Sequence, residues 1–143
     1  VYKRQSLYRT SGSIFLLYIL LICICSDVGG YFIGKKIGGK KLTKISPNKT
    51  ISGTIGSFIF SLIPLFIILQ LEYLDLEITF KMVVLIILIS FINQVGDLFI
   101  SYLKRKAKIK DTGKILPGHG GILDRVDGII FALPFSYFIL KII

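Results

Sequence analysis

Residues 101–127 read SYLKRKAKIKDTGKILPGHGGILDRVD and hold most of the chain's candidates for chemistry. A cationic cluster comes first: Lys104, Arg105, Lys106, Lys108, Lys110 and Lys114. Three carboxylates accompany it, Asp111, Asp124 and Asp127, with a Pro-Gly-His-Gly-Gly turn at residues 117–121 between them. Cationic side chains hold polyphosphate oxygens, carboxylates hold a divalent cation, and glycines let backbone approach a ligand closely. Apolar segments flank the run on both sides. The chemistry implied is a polyphosphate-dependent reaction at a membrane surface.

Each part also has a plainer reading. Asp124 and Asp127, three apart, share a helical face and can converge on one metal near a helix N-terminus, where the dipole favours anions. Alone they read as helix-terminal charge with an Arg125 ion pair. Joined to Asp97 and the cationic run, they read as ligands of magnesium, a hard cation that takes oxygen donors and leaves room for phosphates. Lys104, Arg105 and Lys110 serve equally as a membrane flank. His119, between glycines, suits a positioning donor to phosphate better than a general base. Gly118, Gly120 and Gly121 lack the Lys-Ser/Thr ending of a P-loop, and no Ser-His-Asp triad follows from spacing.

The elements that must position these residues are membrane helices. At 143 residues the chain allows one domain. Its mean hydropathy of +0.76 and 53% hydrophobic content exceed those of an ordinary soluble domain. Four blocks approach the roughly 20 apolar residues that a span needs: about residues 11–26, 53–71, 82–100 and 129–143. The first and last run short, as if the chain were cut or those helices were capped by interfacial residues. A signal peptide is a poor reading of the first, because Asp27 follows it and no small-residue cleavage site does.

The net charge of +10 follows topology. Lys35, Lys36, Lys40, Lys41, Lys44 and Lys49 fill one loop and the cations of residues 104–125 another. Between them, residues 72–81 carry Glu72, Asp75, Glu77 and Lys81. Basic loops alternating with an acidic one obey the positive-inside rule, so both basic loops are expected in the cytoplasm. Anionic headgroups then account for the basicity, and nucleic acid is not an expected partner. Cys23 and Cys25, two apart, do not face each other on a helix and read as packing residues.

Along the chain, the first helix is expected to end at Asp27. Gly30, Gly34 and Gly38 recur at every fourth position, either a close helix approach or a loop lining a site. Pro47 and Asn48 mark a turn, and Thr50 or Ser52 is a candidate cap for the next helix. That helix is expected to run through Pro64. In the third block, Ser90, Gln94, Asp97 and Ser101 form one helical stripe with Asn93 beside it. A carboxylate within a span normally faces the bundle interior and has a task. The bland alternative is a packing stripe with Asp97 neutralised by a lysine.

The 101–127 run resembles the signature of the phosphatidate cytidylyltransferases, the CDP-diacylglycerol synthases. Ser101, Lys104, Arg105, Lys110, Asp111, Gly113, Pro117, His119, Gly120, Gly121, Asp124, Arg125 and Asp127 match it in order and spacing, without a gap. Upstream, Gly96-Asp97-Leu98 is similar to the family's Gly-Asp-Leu, and Ser46-Pro47 with Lys49-Thr50 to its Ser-Pro-x-Lys-Thr. Asp27 with Tyr31 and Gly34 is similar to an earlier family segment. Gly30 departs from the usual Ala there, and Ser52 stands where the family usually has Glu.

The resemblance implies an all-α polytopic membrane protein with about four transmembrane helices here, the C-terminal catalytic portion of a larger bundle. It implies CTP plus phosphatidate giving CDP-diacylglycerol and pyrophosphate, with Mg2+ on Asp97, Asp124 and Asp127. Lys104, Arg105, His119 and Arg125 join these as catalytic residues. Asp27, Ser46, Lys49, Thr50, Lys110, Asp111, Gly120 and Gly121 are the implied substrate-binding residues. The partners are CTP, phosphatidate and the bilayer, with a homodimer allowed. The place is the cell (inner) membrane, with the active site on the cytoplasmic side. The alternative is a related lipid cytidylyltransferase or kinase acting on another lipid. A transporter fits less well. Residues 1–5, VYKRQ, resemble a translated sequencing adapter, so residues 6–143 are expected to be the membrane domain.

Overall fold

A computed structural model describes residues 2–43, 46–70, 80–109, 112–113 and 126–142. The described elements are α1 (Tyr2–Ile37), α2 (Ile51–Ser61), α3 (Ile63–Gln70), α4 (Phe80–Lys106) and α5 (Ile129–Ile142). One isolated bridge, Lys41 to Thr50, joins the arms of the loop between α1 and α2. The fold is all-helical, as expected.

The helix boundaries correct two expectations. α1 does not end at Asp27 but continues to Ile37, which places Asp27 inside a helix. No proline interrupts residues 27–37, and the glycines there are used for packing. A Cβ at Gly29 would collide with Phe60, and one at Gly34 would lie 2.9 Å from Thr50 Oγ1. On the facing helix, a Cβ at Gly53 would sit 2.7 Å from the Gly30 carbonyl, and one at Gly56 would sit 2.9 Å from that of Gly29. Close backbone approach offsets the roughly 1 kcal/mol that each glycine costs a helix. α1 stops where Gly38 and Gly39 take φ of +65° and +107°. Of the fourfold glycine spacing, Gly30 and Gly34 therefore serve packing, and Gly38 serves the turn.

The second block does not form one continuous helix through Pro64. Leu62 caps α2, its N–H donating 3.3 Å to the Ile59 carbonyl, and Pro64 enters at the second position of α3. A proline that early lacks only an N–H that had no intrahelical acceptor. The stretches Gly12–Ile37 and Phe80–Lys106 are long and apolar enough to cross a membrane, while the apolar stretches Ile51–Ile67, divided between α2 and α3, and Ile129–Ile139 are shorter.

Burial is arranged for a lipid solvent. Ile19, Ile22, Cys23, Leu65, Ile86, Ile89 and Ala132 form the apolar core. Around it, Leu17, Ile24, Val28, Phe66, Phe91 and Phe138 face outward. Ser26, Ser61, Ser90, Asn93 and Ser136 are fully buried instead. Ser26 and Ser90 share a hydrogen bond of 2.7 Å that sets α1 and α4 level with each other. Small residues and interhelical hydrogen bonds, with apolar chains outside, are the economy of a membrane bundle. Both cysteines are free, and Cys23 packs in the core.

Candidate functional site

The loop after α1 folds back across the end of the bundle. Its arms are tied by Leu42 N–H to the Lys49 carbonyl (2.8 Å) and Ile51 N–H to the Lys40 carbonyl (3.1 Å). Between them Ser46-Pro47-Asn48-Lys49 makes the expected turn, closed by Lys49 N–H to the Ser46 carbonyl at 3.1 Å. Proline presets the backbone at its second position. Thr50 caps α2, its hydroxyl accepting from Gly53 N–H at 3.1 Å. The Ser52 hydroxyl donates to the Gly38 carbonyl and lies 3.0 Å from Thr50 Oγ1, which locks the end of α1 to the start of α2.

This loop roofs a cavity of about 370 Å³, a size suited to a small-molecule ligand. α1 contributes Asp27, Gly30 and Tyr31; the loop contributes Ser46, Asn48, Lys49 and Thr50; α2 contributes Gly53, Thr54 and Ser57. Gln94 and Asp97 come from α4, and Asp127 comes from just before α5.

The charges are interlocked. Lys49 Nζ pairs with Asp97, and Lys104 Nζ lies 3.5 Å from Asp127 Oδ2. Asp27 Oδ1 accepts a 2.8 Å hydrogen bond from Asn93 Nδ2, and Ser101 Oγ lies 3.5 Å from Asp97 Oδ1. Asp127 accepts from the Gly128 N–H at 3.0 Å. Burial, followed by the charge of Asp97, pushes the Asp127 carboxyl up to about 6 against the opposing pull of Lys104. An added cation would favour the ionised form. Asn93 is fully buried. Its Oδ1 and the Gln94 Nε2 are buried without a hydrogen-bond partner among the described residues.

No group of three acidic, His or Cys side chains stands ready-made around a metal among the described residues. The donor chemistry nonetheless fits a hard divalent cation: carboxylate oxygens from three separate elements face one polar cavity. Asp97 and Asp127 are described members of the expected ligand set, and Asp27 joins them on the cavity wall.

Of the residues singled out by sequence, Asp27, Ser46, Lys49, Thr50, Asp97 and Asp127 line this cavity together. Lys104 reaches it through Asp127. Arg105 is exposed and donates to the Ile109 carbonyl at 3.5 Å, away from the lining residues. Lys110, Asp111, Lys114, His119, Gly120, Gly121, Asp124 and Arg125 lie outside the described residues, as do Lys44 and the acidic residues Glu72, Asp75 and Glu77. Thr54 and Ser57 were not singled out, and Asn48 only as a turn residue. Ser57 lies one helical turn beyond Gly53, a small polar residue on the glycine face, and that was the available signal. Ser52 is absent from the described cavity wall, so its difference from the usual Glu falls at the helix junction.

Residues 4–143 match the model of the cytidylyltransferase family. The chain is 44% identical over 132 residues to a phosphatidate cytidylyltransferase of Bacillus subtilis, covering 92% of this chain and 49% of that protein. It is 46% identical over 127 residues to one from Staphylococcus haemolyticus, covering 88% of this chain and 48% of the relative. A Helicobacter pylori counterpart is 42% identical over 126 residues, 87% of this chain and 46% of the relative. The chain thus spans about half the length of the curated relatives it matches. Carrying the cavity and its charged wall within the matched residues, the chain belongs to the cytidylyltransferase family.

Proposed function

We propose that this chain forms the catalytic part of a membrane phosphatidate cytidylyltransferase, which converts CTP and phosphatidate to CDP-diacylglycerol and pyrophosphate. The observation that carries the reading is the cavity at the polar end of two span-length helices. It is walled by Asp27, Asp97, Asp127 and Lys49, with Lys104 behind Asp127. Relatives bearing that activity by name support the choice of substrates.

In the reaction, a phosphate oxygen of the lipid forms a bond to the α-phosphorus of CTP while the bond to the departing pyrophosphate breaks. The lipid phosphate is already anionic near neutral pH, so no strong base is required. Charge neutralisation and in-line placement are what the protein must supply. Lys49 and Lys104 neutralise phosphate oxygens, with Arg125 adding positive charge at the leaving group. Ser46, Thr50, Lys110, Asp111, Gly120 and Gly121 bind substrate, and His119 positions a phosphate. Asp97, Asp124 and Asp127 would hold Mg2+, with Asp27 beside them; when bound, the ion neutralises phosphate charge. The basic ends of the helices face the cytoplasm of a cell membrane, where soluble CTP meets a lipid held in the bilayer.

The test is product analysis with the full-length protein in detergent or bilayer discs. CTP labelled at the α-phosphate should pass label to phosphatidate and release pyrophosphate. Release of CDP with transfer of the γ-phosphate would assign a lipid kinase instead. Label passing only to a prenyl or archaeal lipid phosphate would change the acceptor.

A further inference from the structure

The cavity wall is self-neutralised in an unusual pattern. Each described carboxylate of the expected metal set is held by a lysine: Asp97 by Lys49 and Asp127 by Lys104. The lysines come from different elements than their partners, Lys49 from the loop and Lys104 from the end of α4. Both ion pairs are largely withdrawn from water, with Lys104 and Asp127 side chains 13% and 12% exposed and Lys49 and Asp97 28% and 29%. Asp27 is differently held, by the uncharged Asn93 amide.

A bare divalent cation entering this cavity meets an obstacle. To reach Asp97 or Asp127 it must displace an ammonium group, which then remains nearby as a like charge. Repulsion between a divalent ion and an ammonium at such close range persists even when water screens it fully. A polyphosphate removes the obstacle. Its oxygens accept the displaced lysines while the carboxylates turn to the cation, so every charge keeps a partner.

We propose that Lys49 and Lys104 are exchangeable counter-ions that make metal and nucleotide bind as one. In the empty site each holds a carboxylate; in the filled site each holds a nucleotide phosphate. The inference rests on the proposed nucleotide reading and adds a rule to it: the lysines oppose the metal when it comes alone and support it when it comes with a nucleotide. A lysine that only bound phosphate would have no effect on metal affinity in the absence of nucleotide. One that only stabilised the fold would have no opposite effects on the two ligands.

The experiment measures Mn2+ binding by electron paramagnetic resonance on the full-length protein, without lipid substrate, with and without CTP. Mn2+ stands in for magnesium as a visible hard cation. Wild type should bind Mn2+ weakly alone and at least about tenfold more tightly with CTP present. Lys49→Met should bind Mn2+ alone about tenfold more tightly than wild type, because Asp97 is released, and should bind CTP with Mn2+ about tenfold more weakly. Lys104→Met is the second variant, with the same pair of opposite shifts. Lys36→Met, which removes the same charge from an exposed position at the end of α1, controls for net charge and should change neither. Thermal unfolding in the same detergent identifies any variant that fails to fold, and the other variant then decides.

If both folded variants bind Mn2+ alone no more tightly than wild type, the exchange is overturned, even where wild type takes up CTP normally. Equal Mn2+ affinity in wild type with and without CTP overturns it as well. Failure of wild type to bind CTP under any condition would instead bring down the nucleotide reading itself.

Discussion

Lys35 and Lys36 stand exposed at the end of α1, with their ammonium groups 5.6 Å and 5.9 Å from the ring centres of Tyr31 and Phe32. Lys49, in the loop beyond, turns inward and pairs with Asp97, and Lys104 does the same with Asp127. All four belong to basic stretches that the positive-inside rule explains equally well. What separates them is the partner. The outer pair lies over exposed aromatic rings of its own helix. The inner pair is matched one to one with carboxylates on the wall of a cavity. The chain therefore uses the same residue type for two tasks, and only the three-dimensional pairing tells which is which.

The largest expected effect falls on the inner partners. Asp97→Asn or Asp127→Asn keeps size and hydrogen bonding but removes charge, and should cost turnover of the full-length protein at least about a thousandfold, the scale of several kcal/mol of charge stabilisation. Membrane insertion should be unchanged. Turnover within tenfold of wild type at saturating magnesium would erase the distinction between inner and outer charge.

A smaller effect should come from Asn93, which is fully buried and donates to Asp27. Asn93→Leu leaves Asp27 without its only described side-chain donor while retaining an apolar filling. Loss of one hydrogen bond to a charged group, about 1.5–3 kcal/mol, corresponds to roughly ten- to hundredfold in CTP-dependent turnover if Asp27 must be held in place. Normal kinetics would show that Asp27 needs no such support. The smallest effect belongs to the outer pair. Lys36→Gln should change turnover less than about twofold and leave topology intact, since exposed charges of this kind contribute at most about 1 kcal/mol. A tenfold loss, read in the same assay, would place Lys36 with the inner group.

Sequence made the helices and half of the cavity legible for physical reasons. Apolar blocks long enough to span, and a polar stripe through the third of them, announce a membrane bundle with one polar face. Ser90, Gln94, Asp97 and Ser101 do share that face: Ser90 meets Ser26, Gln94 and Asp97 line the cavity, and Ser101 approaches Asp97. The functional and bland readings of Asp97 proved compatible, because it lines the cavity and is also neutralised by a lysine.

The helix ends were less legible. Asp27 looked like a stop because charge ends most apolar blocks, yet α1 continues, since glycine packing against α2 is a long-range event that local pattern does not encode. The break at Leu62 likewise depends on where the ladder can yield around Pro64. The Asp27–Asn93 and Lys49–Asp97 pairings join residues far apart in the chain, and spacing carries no trace of them.

The most direct test of the central claim, that CTP sits in this cavity, is photolabelling of the full-length protein with an azido analogue of CTP, followed by peptide mapping. The predicted result is labelling of cavity-wall segments, around Tyr31, Ser46–Thr50 or Thr54, that excess CTP suppresses and excess ATP does not. Label concentrated instead on residues far from this wall, such as those of α3, or label indifferent to excess CTP, would contradict it.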